Sequence, residues 1–180
     1  MQPSQVLFQG EALPRALPVC DHYAGTEVRM RKALALQAEL GPVFDITFDC
    51  EDGAPVGKEA EHAQLVAEIL LSSDNRFNRV GVRIHDPSHP CWKADVATLI
   101  KLAGKKIAFV MIPKVVSAAQ TQTIIDEINH VAKTANVGRV IPIQVLIETH
   151  GALHEVHAIA ALEQVESLSF GLMDFVSAHH

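Results

Sequence analysis

The residues able to do chemistry in this sequence recur at one kind of place, the ends of short β-branched runs. Asp49, Glu51 and Asp52 close or follow the run at 44–50, and Arg83 and His85 close that at 79–85. Lys114 follows 107–113, Glu148 ends 140–148, and Asp174 comes just after 165–171. Several carboxylates beside one or two cations are costly to bury unless they are paired or bind metal. Glu148 and Asp174, from successive runs, suit Mg²⁺, a hard ion that keeps waters and takes few protein ligands. Arg83 is a fixed planar cation, matched to a carboxylate or a developing oxyanion. As a constellation these residues point to cation-assisted chemistry on a small anionic substrate. Each also has a plainer role: Glu148 capping a helix that begins near His150, Asp174 capping one after Gly171, and Lys114 solvated at a strand end. His150, His154 and His157 lie at i, i+4 and i+7 without an H-E-x-x-H pattern, which places them on a partly exposed helix face. Cys20, Cys50 and Cys91 form neither a disulfide framework nor a zinc spacing and read as packing residues.

Positioning these groups requires regular elements. Strands are expected at 16–20, 44–50, 79–85, 107–113, 140–148 and 165–171, each β-branched or aromatic-rich and of strand length. Helical spacing fills the intervals. Thr26 is placed to cap a helix over 27–40 that stops at Gly41-Pro42. Over 59–71, Ala63, Val66, Ala67 and Leu70 form one apolar stripe. Ser117 opens a helix whose buried face holds Ile124, Ile128, Val131 and Ala132, and 151–162 repeats the pattern with Leu153, Val156 and Ala160. Strand and helix alternate throughout, the signature of an α/β domain with a parallel sheet.

No G-x-G-x-x-G turn or Walker loop occurs, as a doubly wound nucleotide-binding sheet would show. Polar residues at strand C-terminal ends fit instead a TIM-type (β/α)8 barrel, whose active sites are built there. Strand parity agrees. Phe44, Ile46, Phe48 and Cys50 alternate with Asp45, Thr47, Asp49 and Glu51; Val80, Val82 and Ile84 with Gly81, Arg83 and His85; Ile143, Val145 and Ile147 with Gln144, Leu146 and Glu148. With the apolar parity against outer helices, Asp49, Glu51, Arg83, Gln144 and Glu148 face the barrel interior.

Composition excludes other classes. The 15 Lys+Arg against 21 Asp+Glu give a net charge of −6, and one Trp and one Tyr supply little stacking surface, so nucleic-acid binding finds no support. With 48% hydrophobic and 20% charged residues the chain is no disordered polyelectrolyte. No apolar run reaches the roughly 18 residues of a membrane span, and the opening MQPSQVLFQG lacks the regions of a signal peptide. A cytoplasmic protein with no membrane partner is expected.

Several segments resemble one family. Phe48-Asp49-Cys50-Glu51-Asp52-Gly53 is similar to the D-x-E-D-[AG] signature of the citrate lyase beta-subunit-like (HpcH/HpaI aldolase) family. Val82-Arg83-Ile84-His85-Asp86-Pro87 resembles its V-R-[IV]-N-P strand, Ile112-Pro113-Lys114-Val115 its [LI]-P-K-V, Leu146-Ile147-Glu148-Thr149 its L-I-E-T, and Phe170-Gly171-Leu172-Met173-Asp174 its F-G-x-x-D. The resemblance implies a (β/α)8 barrel that cleaves or forms carbon–carbon bonds in malyl-, citramalyl- or citryl-type CoA thioesters by retro-Claisen or retro-aldol chemistry. It implies Glu148 and Asp174 as ligands of Mg²⁺, or of Mn²⁺ in its place, and CoA as part of the substrate. It makes Arg83 the catalytic contact to a substrate oxygen, with Asp49 and Lys114 beside it on the substrate, and Glu51 and Asp52 as acidic groups orienting Arg83 and the ion's water. The partners implied are an acyl-CoA or keto-acid substrate and further copies of the chain in a trimer or hexamer. Two other readings accompany this one: a metal-dependent aldolase releasing pyruvate from a free hydroxy-keto diacid, and a non-catalytic barrel subunit or small-acid-binding protein. The sequence departs from the pattern at Cys20-Asp21-His22-Tyr23, where a Pro-Gly turn and a basic residue are usual and where His22 or Asp21 would substitute, and at His85 and Met173.

A (β/α)8 barrel takes about 250 residues, whereas the sixth strand here ends close to residue 180. The expectation is therefore one barrel domain over 1–180 that supplies the first six β/α units, with strands 7 and 8 and any lid outside it.

Overall fold

The computed structural model describes residue 18 and residues 20–178. Six strands form a single parallel sheet in sequential order: β1 (Asp21–Ala24), β2 (Asp45–Asp49), β3 (Val80–Arg83), β4 (Val110–Ile112), β5 (Ile143–Ile147) and β6 (Val165–Phe170). The helices between them are α1 (Glu27–Leu40), α2 (Glu59–Leu71), α3 (Trp92–Ala103), α4 (Ala118–Thr134), the short pair α5 (His150–His154) and α6 (Val156–Ala160), and finally α7 (Leu172–Ser177) after β6. The sheet curls into a half-barrel with the helices outside, the arrangement of the first six units of a TIM-like barrel.

Side-chain parity divides the interior as the sequence predicts. Ile46, Phe48, Val80, Val82, Val110, Ile112, Ile143, Val145 and Ile147 join one cluster with Met30, Leu34, Val66, Leu70, Leu99 and Ile128 of the helices. Fully burying each such large aliphatic or aromatic side chain stabilises the fold by about 1.5–3 kcal/mol. The opposite parity builds a second, smaller cluster of Phe109, Met111 and Leu146 on the concave side. Gly81 belongs to that side, and a Cβ there would lie 2.2 Å from the Phe109 ring, so the missing side chain is what lets Phe109 lie across β3.

Three local expectations are corrected. The first strand is Asp21–Ala24, not 16–20, most of which lies outside the described residues. Its position is set by pairing: Asp21 to Ala24 run in register with Asp45 to Phe48, and Thr47 Oγ1 donates to Asp21 Oδ2 at 2.7 Å. The helix over 151–162 breaks at Glu155, whose carboxylate turns aside to accept the Ala118 N–H at 2.8 Å. Ala152 and Ile159 are its buried residues, while Leu153 and Ala160 are exposed. Thr26 occupies the N-cap of α1 but its side chain makes no capping bond, whereas Ser117 Oγ accepts the Gln120 N–H at 3.1 Å as expected.

Candidate active site

The C-terminal ends of β2 to β6 bring seven sequence-selected residues into one polar network. Asp49, the last residue of β2, pairs in register with Arg83, the last of β3. Arg83 grips Asp49 bidentately, Nε to Oδ1 at 2.7 Å and Nη2 to Oδ2 at 2.6 Å. Its Nη1 lies 2.8 Å from Glu51 Oε2, an ion pair without hydrogen-bond geometry, so two of the five guanidinium N–H donors are engaged, both by Asp49. Asp49 also accepts the backbone N–H groups of Glu51 (2.9 Å) and Gly53 (2.8 Å). This accounts physically for the D-x-E-D-G segment, since a Cβ on residue 53 would stand 2.4 Å from Asp49 Oδ2. Burial opposes ionisation of Asp49, but the Arg83 bonds outweigh it and hold the carboxyl below its usual range.

Lys114 is the hub between this pair and β5. It follows β4 with φ 49°, in the left-handed region that non-glycine residues seldom occupy. That turn aims its backbone N–H at Glu148 Oε1, 2.7 Å away. Its ammonium reaches back to Glu51 Oε1 at 2.8 Å and to Asp52 at 3.1 Å, with Asp174 Oδ1 at 3.9 Å. The solvated-lysine alternative is thus replaced by a cation among three carboxylates. Desolvation lowers its pKa, but Glu51 and Asp52 raise it further, so Lys114 stays charged.

Glu148 and Asp174 are freed from the capping roles considered for them. Thr149 is the N-cap of α5, its Oγ1 accepting the Ala152 N–H at 3.0 Å. Gly171 is the N-cap of α7, and Asp174 lies in that helix's first turn, where a negative charge suits the dipole. Glu148 is 3% exposed, and its carboxyl is pushed up to about 7, first by burial and then by the charges of Glu51 and Asp174. Gly171 makes its place: a Cβ there would meet Glu148 Oε2 at 2.3 Å. A cavity of about 390 Å³ opens beside Glu148 and Asp174, and Lys114 and Asp86 separate it from a second of about 270 Å³ lined by Glu51, Asp52, His85 and His89.

The donor set fits Mg²⁺. Among the described residues no group of three or more His, Cys, Asp or Glu is arranged to hold a metal, but Mg²⁺ ordinarily takes one or two carboxylates and completes its shell with water and substrate. Glu148 is a carboxylate whose ionisation its neighbours oppose, and a divalent cation would relieve that opposition.

Some participants went unread in the sequence. Tyr23, not His22 or Asp21, is the first-strand residue at the site; Arg83 Cζ lies 5.2 Å from its ring centroid. Asp21 instead packs near Asp45, at the other end of the pairing, its carboxyl pushed to about 6 by burial. Tyr23 is legible only through strand parity, which required the right strand boundary. His85 turns to Asp95 of α3, a partner that no sequence spacing announced. Gln144 is buried on the concave face below the charged network, and His150, His154 and His157 are exposed as expected.

Comparison with known proteins agrees with the fold. The chain is 52% identical to a citrate lyase from Burkholderia xenovorans LB400, superposing with a TM-score of 0.89 over 93% of this chain and 52% of that one. It is similar in fold to the citrate lyase beta subunit of Mycobacterium tuberculosis complexed with oxaloacetate and magnesium, at 19% identity and TM-score 0.66, over 91% of this chain and 62% of that one. Over 134 residues it is 25% identical to an L-malyl-CoA/beta-methylmalyl-CoA lyase of Cereibacter sphaeroides, a match covering 74% of this chain and 42% of the relative. The chain thus spans less than half the length of the curated relatives it matches. Residues 32–179 match the HpcH/HpaI aldolase/citrate lyase family, and the chain belongs to it.

Proposed function

We propose that this chain carries the Mg²⁺-dependent active site of a carbon–carbon lyase acting on a 3-hydroxyacyl-CoA thioester of malyl, citramalyl or citryl type. The observation that carries the proposal is the continuous chain of contacts Asp49–Arg83–Glu51–Lys114–Glu148, which ties four strand ends around an acidic cavity. The names of the relatives support it: one is a malyl-CoA lyase, and another is complexed with oxaloacetate and magnesium.

Glu148 and Asp174 would hold the ion, which supplies Lewis-acid polarisation of the keto-acid oxygens and a template for them. Arg83 keeps three N–H donors beyond the two given to Asp49, and these stabilise negative charge developing on the substrate's thioester oxygen. Asp49 already accepts four N–H donors, so it serves by fixing the guanidinium plane rather than by touching substrate. Glu51 and Asp52 hold Lys114, whose ammonium is placed to meet a substrate carboxylate at the cavity wall. The same reading carries a cytoplasmic homo-oligomer that takes its substrate as the CoA ester.

The test is release of glyoxylate, pyruvate or oxaloacetate from a panel of hydroxyacyl-CoA thioesters with Mg²⁺ and with EDTA. Turnover that needs the ion and is abolished by Glu148→Ala and by Asp174→Ala is expected. Turnover that either variant retains, with Mg²⁺ still required, would overturn the metal assignment.

A further inference from the structure

The cavity of about 390 Å³ beside Glu148 and Asp174 offers a ligand few side-chain donors. Asp86, Glu148 and Asp174 are carboxylates, which when ionised only accept. The hydroxyl groups of its wall are already committed. Ser88 Oγ donates to Asp86 Oδ1 at 2.5 Å, and Thr149 Oγ1 donates to the Val115 carbonyl at 2.6 Å. The Lys114 ammonium is shared between Glu51, at 2.8 Å, and Asp52, at 3.1 Å. Pro87, Val116 and Ala178 bring no polar side chain, which leaves Gln120.

Gln120 lies in the first turn of α4, with its backbone N–H bound to Ser117 Oγ at 3.1 Å. Its side-chain Oε1 accepts the Val116 N–H at 2.9 Å. A backbone N–H can only donate, so this bond decides which end of the carboxamide is which. The oxygen is turned to Val116, and the NH₂ group is the end left for the cavity. Among the described residues no protein group accepts from Nε2. Val116 comes two residues after Lys114, so the amide donor and the ammonium belong to one wall of the cavity.

We propose that Gln120 is a substrate-binding residue that recognises the keto-acid half of the substrate, its Nε2 donating to a carboxylate oxygen of that half beside Lys114; the assignment rests on the lyase reading above. A 2-keto acid that chelates an ion through its carbonyl and one carboxylate oxygen keeps a second carboxylate oxygen, which still needs donors. A neutral amide supplies one without adding a further cation to the wall. It also discriminates. An oxygen placed against Nε2 replaces the water that the amide gives up, whereas an alkyl group of the same size leaves the donor unpaired. Gln120 therefore selects for a carboxylate at this position.

The experiment is calorimetric binding of pyruvate and of glyoxylate, with Mg²⁺ present, to the full chain and to its Gln120→Glu and Gln120→Met variants. KM and kcat are measured alongside, on the thioester that the Mg²⁺ panel identifies. Gln120→Glu keeps an oxygen for the Val116 N–H and puts its charge in the first turn of α4, where the dipole favours it, so it should melt no lower than the parent. Gln120→Met removes the donor and adds no charge. Both variants are expected to bind the keto acids about 10-fold more weakly, or worse, with the loss in KM rather than in kcat. Gln120→Met binding them as the parent does overturns the assignment, because a loss in Gln120→Glu alone then reports charge repulsion. A raised KM with keto-acid affinity unchanged also overturns it, since the donor then meets the CoA half. A parent that binds the keto acids but turns over no thioester refutes the lyase reading alone, and the variants still decide the contact by their keto-acid affinity. A parent that binds neither keto acid overturns the assignment, and its turnover then decides the lyase reading separately.

Discussion

Glu148→Gln separates the electrostatics of the site from its shape. The amide is isosteric and keeps an oxygen to accept the Lys114 N–H, so it removes the charge and little else. A carboxyl raised from 4.5 to about 7 is ionised at a penalty in the folded state. The folded protein then binds more protons than the unfolded chain between these values, so the favourable contribution is complete below 4.5 and is lost as pH rises through 7. At 1.36 kcal/mol per unit, that loss is about 3 kcal/mol by pH 8 and about 1 kcal/mol at pH 5. Without Mg²⁺, Glu148→Gln is therefore expected to be more stable than the parent at pH 8, with roughly 5–10 °C in Tm for a domain of this size, and by about a third of that at pH 5. Adding Mg²⁺ at pH 8 should close the gap by stabilising only the parent. Denaturant and thermal melts at both pH values, with and without the ion, give the four numbers needed. A Glu148→Gln protein no more stable than the parent at pH 8 without Mg²⁺ would refute the account of Glu148 as a carboxylate strained by its neighbours.

Further substitutions test the remaining parts. Arg83→Lys cannot reproduce the two-pronged grip on Asp49 or reach Glu51 at once; it should lower kcat/KM by about 10²-fold or more and cost about 3 kcal/mol of stability, read by steady-state kinetics and urea melts. Lys114→Met preserves length and leaves Glu51 with Arg83 as its cation; it should cost about 2 kcal/mol at pH 8 and less at pH 5, where Glu51 can take up a proton, and chemical denaturation at the two pH values checks this. Gly81→Val drives a side chain into the Phe109 ring, 2.2 Å from where its Cβ would lie, and should cost about 1–3 kcal/mol, part of which Phe109→Leu restores in a double-mutant cycle.

The sequence by itself determined the α/β alternation, the inward parity and the identity of the charged network. Those follow from local rules: period-two patterning decides which residues of a strand share a face, and helix spacing decides what must cover the other. The spans of α1 and α2 coincide with the predicted 27–40 and 59–71: Gly41 stops the first where the sequence places its end, and Ala63, Val66, Ala67 and Leu70 give the second its buried stripe. Asp49, Glu51, Asp52, Arg83, Lys114, Glu148 and Asp174 were selected from their positions at strand ends and are brought together. Tertiary structure alone decided which acid meets which base. Arg83 and Asp49 are 34 residues apart, as are Lys114 and Glu148, and only the parallel register sets them opposite one another. It also placed β1, whose Asp-His-Tyr-Ala composition has weak strand preference and forms by pairing with β2. The His85–Asp95 pair was hidden for a related reason. A strand end and a helix first turn carry no shared sequence period, so their contact exists only once α3 packs back onto β3.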